Sequence, residues 1–176
     1  QRERISALYR VAYQRDPSED EVAAGLAFLE RQGEPEAPAI EPPAWSYGYG
    51  LVDAETGAVS EFTALPHFSD RTWKGGEKLP DEQLGWVSLN AAGGHPGGKF
   101  AAIRRWTAPY DALVNVTGDL RHPSEQGDGV HGFIVHNRSE KLWDAVALNG
   151  GQEAKADFVK VSAGDTIDFV VAAGAN

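Results

Sequence analysis

Apolar positions follow two different periods along this chain. Over residues 1–33 they recur at the spacing of a helix that buries one face. Ser18 and Glu21 have the spacing of a capping box, and Gly33 is suited to ending the second helix. The apolar stripe consists of Ile5, Leu8, Tyr9, Ala12, Val22, Leu26 and Leu29. The pattern predicts a helical hairpin over 1–33.

The eleven residues that follow have a different character. Residues 34–44, "EPEAPAIEPPA", hold four prolines and three glutamates. Proline fixes φ and removes a backbone donor, and the acidic side chains repel one another. The stretch is therefore predicted to be an extended linker between two domains.

From residue 45 the period shortens to two. Nine short runs rich in β-branched and aromatic residues alternate with Gly, Pro, Asn and Asp clusters, and no helix-length segment separates them. In "DTIDFVV", Ile167, Phe169 and Val171 fall on one face and Thr166 and Asp168 on the other. We expect residues 45–176 to form a mainly β domain, an antiparallel β-sandwich of jelly-roll type.

The net charge and the composition limit the classes of partner that this chain is expected to bind. The formal net charge of −10 disfavours nucleic acid and anionic membrane surfaces, so neutral ligands or cations fit better. No segment approaches the roughly 20 apolar residues that a membrane-spanning helix needs, so no membrane insertion is expected. Cysteine is absent, which excludes disulfides, thiolate nucleophiles and zinc–thiolate sites.

The aromatic residues are the most informative candidates for ligand contact. In "WSYGYG", Trp45, Tyr47 and Tyr49 share one face of a strand, and Ser46, Gly48 and Gly50 leave the other nearly bare. Such a stripe suits either the apolar face of a sugar ring or core packing with glycines where another layer approaches. Trp73 is predicted in a polar, glycine-rich loop, where it covers a core edge or contacts a ligand.

A glycine-rich stretch, "GGHPGGKFAAIRRW", contributes two further candidates. His95 stands in a predicted tight turn, where it bonds backbone or lies near a ligand, and catalysis is the weaker alternative. Arg104 and Arg105 follow in a strand, so one of them lies beside buried neighbours and needs a carboxylate partner. We include His95 and Arg105 among the candidate ligand-binding residues, with structural pairing as the alternative for Arg105.

Metal and nucleotide sites have weaker support. Asp119, Glu125 and Asp128 are candidate calcium ligands in "GDLRHPSEQGDG", but the loop lacks a regular D-x-D-x-D-G pattern and a solvated acidic loop is favoured. We expect no cofactor, with calcium as the exception to test. The runs "GDGV" and "KGGEK" lack the Walker spacing, and no G-x-S-x-G elbow occurs.

Longer strings carry a family resemblance. "RISALYRVAYQRDPSEDEVAAGLAFLE" resembles the last helices of a domain of unknown function in large secreted multidomain proteins of planctomycete bacteria, which often carry cytochrome c domains. "GWVSLNAAGGHPG", "AAIRRWTAP" and "GDTIDFVV" resemble the β-sandwich module that follows those helices, which is similar in outline to carbohydrate-binding modules. The resemblance implies an extracellular or periplasmic location and a non-catalytic accessory role.

These observations predict a carbohydrate-binding module, or one that docks on a glycan-rich surface, rather than an enzyme. A structural module that assembles with other protein chains is the first alternative. A hydrolase or lyase that uses His95 and nearby carboxylates is the second.

Overall fold

The computed structural model describes residues 1–32 and 44–174, and it is mainly β, with antiparallel sheets after two short helices. The chain divides into two compact units, Gln1–Glu41 and Pro42–Asn176. The predicted linker 34–44 lies outside the described residues, except for Ala44, which begins the first strand.

The first unit contains α1 (Arg2–Tyr13) and α2 (Glu19–Gln32). The predicted capping box is confirmed at the start of α2. The backbone N–H of Ser18 donates to Glu21 Oε2 at 2.7 Å, and that of Glu21 donates to Ser18 Oγ at 3.2 Å. The predicted end at Gly33 lies outside the described residues. Neither described helix is long and apolar enough to cross a bilayer.

The second unit contains twelve strands in the described part of the chain. They are β1 (Ala44–Gly50), β2 (Thr63–Ala64), β3 (His67–Ser69), β4 (Thr72–Lys74), β5 (Ser88–Asn90), β6 (Gly93–His95), β7 (Ala101–Thr107), β8 (Ala112–His122), β9 (Val130–His136), β10 (Glu140–Ala147), β11 (Gly150–Val161) and β12 (Thr166–Ala173).

Three antiparallel sheets result from their pairing. A six-stranded sheet has the order β10-β9-β12-β7-β1-β2, a four-stranded sheet has the order β3-β4-β5-β6, and β8 pairs with β11 as a two-stranded ribbon. Seven of the nine runs predicted as strands lie almost wholly in strands, whereas "AVSEFTAL" contributes only β2 and "LGWVSL" only part of β5. The sequence missed β3, β4 and β6, because each is only three residues long and two of them fall in polar or glycine-rich stretches.

The six-stranded sheet has two differently covered faces. Tyr47, Arg104 and Phe169 are cross-strand partners on β1, β7 and β12, and we call their side the front face. The ribbon packs on this face through one buried cluster, and the four-stranded sheet packs on it through another. The core residues of the first cluster are Ala108, Val116, Ile134, Ala154, Val159, Val161 and Ile167, and those of the second are Leu65, Leu84, Val87, Leu89 and Ala102.

The opposite side, the back face, is covered by the chain between β1 and β2. Val59 and Phe62 pack there against a third cluster that includes Ile103 and Val170. The glycines of β1 make this approach possible, because a Cβ on Gly50 would lie 1.8 Å from the carbonyl oxygen of Glu61. The prediction that these glycines mark the close approach of another layer is therefore confirmed.

Candidate functional site

A groove runs over the front face of the six-stranded sheet. One wall is β8 of the ribbon, and the other is the hairpin of β5 and β6. Its central cavity has a volume of about 400 Å³. The residues that line it include Trp45, Leu89, Gly93, Arg104, Val116, Gly118, Asp119, Leu120, Ile134, Trp143 and Phe169.

The floor of the groove is aromatic. Trp45 and Phe169 lie side by side on the front face, with ring centroids 5.8 Å apart and planes inclined by 35°. Trp45 is 44% exposed, so much of its indole is accessible to a ligand. Trp143, on the neighbouring strand β10, extends the floor beyond Ile134. The groove thus offers ring faces to a ligand at its base.

One cation lies among these rings. Arg104 donates from Nη2 to the carbonyl oxygen of Asn90 at 2.7 Å, and its guanidinium carbon lies 5.8 Å from the centroid of the Tyr47 ring. Its Nε is buried and has no hydrogen-bond partner. A guanidinium group carries five N–H donors, so the Arg104 side chain that lines the groove has donors beyond the one that Asn90 accepts.

A second cavity of about 900 Å³ continues the groove toward the far end of β8. Trp86, His95, Arg121 and His122 are among the side chains that line it. His122 Nδ1 is a second buried nitrogen without a hydrogen-bond partner. The residues common to both cavities are Ala92, Gly93, Gly94, Asp119, Leu120 and Val171.

His95 ends strand β6 instead of standing in a turn before a strand. Its Nδ1 lies 2.6 Å from the carbonyl oxygen of Pro96, and its ring centroid is 6.3 Å from that of Trp86. The prediction that His95 bonds backbone is confirmed. The same residue lines the second cavity.

The turn before Trp86 is held by an aspartate. Asp81 Oδ1 accepts backbone N–H groups of Gln83 at 3.0 Å and Leu84 at 2.8 Å. These bonds, led by the one from Leu84, lower the pKa of the Asp81 carboxyl, because they stabilise its charged form. The two bonds define the turn that leads to Trp86, a residue that lines the second cavity.

Most of the predicted aromatic stripe belongs to the core. Tyr47 stacks on Trp73 with ring centroids 5.7 Å apart and planes within 10°, and Tyr49 meets Phe100 edge-on at 5.3 Å. Trp73 was predicted in a loop, and that prediction is wrong: it lies in β4, half-buried against the front face. Its polar and glycine neighbours concealed a strand of three residues.

Arg105 lies on the back face, away from the groove. Its Nε and Nη2 donate to the two carboxylate oxygens of Asp168 at 2.6 and 2.7 Å, and its guanidinium carbon is 4.1 Å from the centroid of the Phe62 ring. The structural alternative considered for this residue, a carboxylate partner, is confirmed. Arg104 instead of Arg105 is the arginine that reaches the groove.

The three candidate calcium ligands do not form a cluster. Asp119 lines both cavities and lies 3.7 Å from Arg121, whereas Glu125 Oε1 accepts a bond from Asn149 Nδ2 at 3.3 Å. Asp128 lines the second cavity. Within residues 1–32 and 44–174 no group of three or more His, Cys, Asp or Glu side chains is arranged to hold a metal ion.

Sequence reasoning missed Phe169, Trp143 and His122 as groove residues. Phe169 was assigned to a buried strand face, and only the pairing of β12 with β7 places it beside Arg104. A usable signal was present for Arg104, since it alternates with Arg105 and one of the two had to face away from the buried carboxylate partner. The other two depend on which strands pair, which local patterns do not specify.

Comparison with known proteins gives no relative for this chain: no family model matches it, and no curated protein or solved structure is significantly similar to it.

Proposed function

We propose that the β unit is a non-catalytic carbohydrate-binding module that docks the protein on a polysaccharide or glycan-rich surface. The observation that carries this proposal is the groove on the front face, in which Trp45 and Phe169 form an aromatic floor beside Arg104. Sugar rings combine an apolar C–H face with a rim of hydroxyl groups. A floor of rings with a few polar groups around it complements both.

The fold supports the same proposal. The ribbon and the four-stranded sheet pack on the front face of the six-stranded sheet, so the unit has at least two β layers with a groove between elements of one layer. We assign it to the β-sandwich class, of the jelly-roll type predicted from the sequence. In such an architecture a surface groove lies on a rigid scaffold, so binding a ligand costs the protein little conformational entropy.

The accessory role follows from how the polar groups are used. The Nδ1 of His95 is engaged by Pro96, and Arg105 is engaged by Asp168, so two of the polar candidates have structural partners. We therefore favour binding over a hydrolase or lyase reaction. In line with the planctomycete resemblance, we propose that the module belongs to an extracellular or periplasmic multidomain protein.

Affinity electrophoresis of the full chain tests the proposal. Native gels that contain hydroxyethylcellulose, glucomannan, xylan or alginate should retard the wild-type chain in at least one case. Trp45→Ala should weaken that retardation at least about tenfold, because it removes an exposed ring from the floor. Tyr110→Ala is the matched control, since Tyr110 is 45% exposed and lies outside the groove. Absence of retardation in the whole panel would refute the proposal.

Assembly with other protein chains is a second candidate, favoured by the helical unit. Leu8, Tyr13 and Phe28 are large apolar side chains that are exposed there, and Ile5 and Leu29 line a cavity of about 630 Å³ between α1 and α2. A surface of this kind is typical of a contact with another protein. Light scattering distinguishes this candidate: a stable oligomer that Leu8→Lys and Phe28→Lys dissolve would support it, and a monomer at high concentration would count against self-assembly.

A further inference from the structure

Three cavities along β8 join into one trough. The central cavity shares Trp45, Val116, Thr117 and Phe169 with a smaller cavity of about 330 Å³ at its aromatic end. At its other end it shares six residues with the cavity that His122 lines. The trough therefore follows β8 from Val114 to His122, which is about 26 Å for eight steps of about 3.3 Å.

Each wall of the trough has a glycine, and therefore no side chain, at one position. Gly93 stands on the β6 wall and Gly118 on the β8 wall, and a Cβ added to either would meet nothing within 4 Å. Neither glycine has a positive φ, so backbone strain does not explain its presence. The two positions keep the middle of the trough open to a chain that continues through it.

The polar groups of the trough are spaced along it. Arg104 lines the central cavity and His122 lines the cavity at the far end, so each of the two cavities has a polar side chain in its wall. Polar side chains in two separate cavities suit a ligand that carries hydrogen-bonding groups at intervals along its length.

Charges along the trough balance. Arg104 and Arg121 are offset by Asp119 and Asp128, and the whole chain carries a net charge of −10. This arrangement provides no field that would attract a polyanion. It suits a chain of neutral sugar rings, because hydroxyl groups can donate hydrogen bonds to carboxylates and accept them from guanidinium groups.

We infer that the trough binds an internal stretch of an unbranched neutral polysaccharide, and that Arg104 and His122 contact it at two separate positions. This inference rests on the proposed carbohydrate-binding function and specifies its ligand. A linear chain several rings long matches the length, the open middle and the spaced polar groups of the trough. A pocket for a single terminal sugar would need none of these three features.

Chain length is the first test. Isothermal titration of the full chain with mannose- and glucose-based β-1,4 oligosaccharides, from two to six rings, should show affinity rising at least about tenfold over the series. Equal affinity for two and six rings would overturn the inference while leaving the proposed function intact. Preferential binding of alginate over glucomannan in the gels would overturn its neutral-ligand part.

Variants of the trough provide the second test. Gly118→Leu should narrow the middle of the trough and weaken six-ring binding at least about tenfold while leaving two-ring binding nearly unchanged. Lys160→Leu is the control for an added leucine on the ribbon, because Lys160 is exposed, pairs with Leu113 and does not line the trough. Arg104→Gln and His122→Ala should each weaken six-ring binding by about fivefold or more, with circular dichroism confirming the fold. Unchanged affinity in Gly118→Leu would overturn the inference.

If no oligosaccharide or polysaccharide binds, the proposed function itself fails. Binding that is independent of length and of Gly118 leaves that function standing and removes only the trough as its site. The two failures are therefore distinguishable in the same set of measurements.

Discussion

Arg105 and Asp168 are direct cross-strand partners on β7 and β12, joined by two hydrogen bonds on the back face of the six-stranded sheet. The carboxylate of Asp168 is fully buried and the Arg105 side chain is 14% exposed. Phe62 covers the guanidinium group from the other side. Such a pair is matched in geometry and charge, so removing either partner leaves the other charge in an apolar environment.

We expect Arg105→Ala and Asp168→Ala each to lower the free energy of unfolding by about 3–5 kcal/mol. Urea denaturation followed by tryptophan fluorescence measures the change. The double variant Arg105→Leu with Asp168→Leu should lose less than the sum of the single variants, because no unpaired charge remains. Lys155→Ala removes a solvent-exposed ion pair with Asp157 and should have a much smaller effect. A single variant as stable as the wild type would contradict this account.

Trp73 should act through stability instead of ligand binding. Its ring stacks on Tyr47 and packs against Phe68, so Trp73→Ala opens the contact between the four-stranded sheet and the front face. We expect a loss of about 3 kcal/mol in the free energy of unfolding. Trp73→Phe keeps a stacking ring and should recover most of it. If Trp73→Ala abolished polysaccharide binding at full stability, Trp73 would belong to the binding site.

The close approach at Gly50 predicts a steric effect. Gly50→Ala places a methyl group against the carbonyl oxygen of Glu61. Because this oxygen belongs to the backbone, a change of side-chain rotamer cannot relieve the clash. We expect a destabilisation of about 3 kcal/mol, measured by thermal or urea unfolding. Gly118→Ala is the control, since its Cβ meets nothing within 4 Å, and it should change stability by less than about 1 kcal/mol. Equal effects of the two variants would refute the steric explanation.

The helical unit contains a carboxyl group with an altered pKa. The Arg15 guanidinium donates to Glu21 at 2.6 and 2.8 Å, and with the backbone N–H of Ser18 it lowers the pKa of Glu21 from 4.5 to about 2. The folded-state pKa lies below the unfolded value. The stabilisation is therefore complete above about pH 4.5 and is lost as the pH falls toward about 2.

Carboxyl-resolved NMR titration checks this shift. Arg15→Ala should raise the pKa of Glu21 most of the way back to its ordinary value, because it removes the largest cause. Arg2→Ala breaks the pair between Arg2 and Glu19 and should leave the pKa of Glu21 unchanged. A Glu21 pKa near 4.5 in the wild type would show that the ion pair is absent in solution.

The pattern of apolar and polar residues along the chain predicted the mainly β second unit, the two helices and most of the long strands. It did so because the period of this pattern indicates which face of a helix or strand is buried. The capping box of Ser18 and Glu21 could also be predicted, because this motif depends only on residues that are close in sequence. Strands β4 and β6 were not predicted, because a run of three residues is too short to show a period. Their pairing also depends on the other strands of the sheet and not on their own sequence.

The site was only partly predictable. Trp45 and His95 line the groove or its extension, but Tyr47, Tyr49 and Trp73 fill a core contact. Which aromatic rings stay accessible depends on where the four-stranded sheet ends over the front face. That edge is fixed by contacts between residues far apart in sequence, which no local pattern encodes.

The wall formed by β8 and β11 belongs to a separate ribbon, and among the described strands no backbone ladder joins that ribbon to the six-stranded sheet. Under the proposed function, the width of the cleft is therefore adjustable by side-chain volume at core contacts such as Val159 and Val161, which do not line the cavities. Selection, or a protein engineer, can retune which chain thickness is accepted while the chemistry of the floor stays constant.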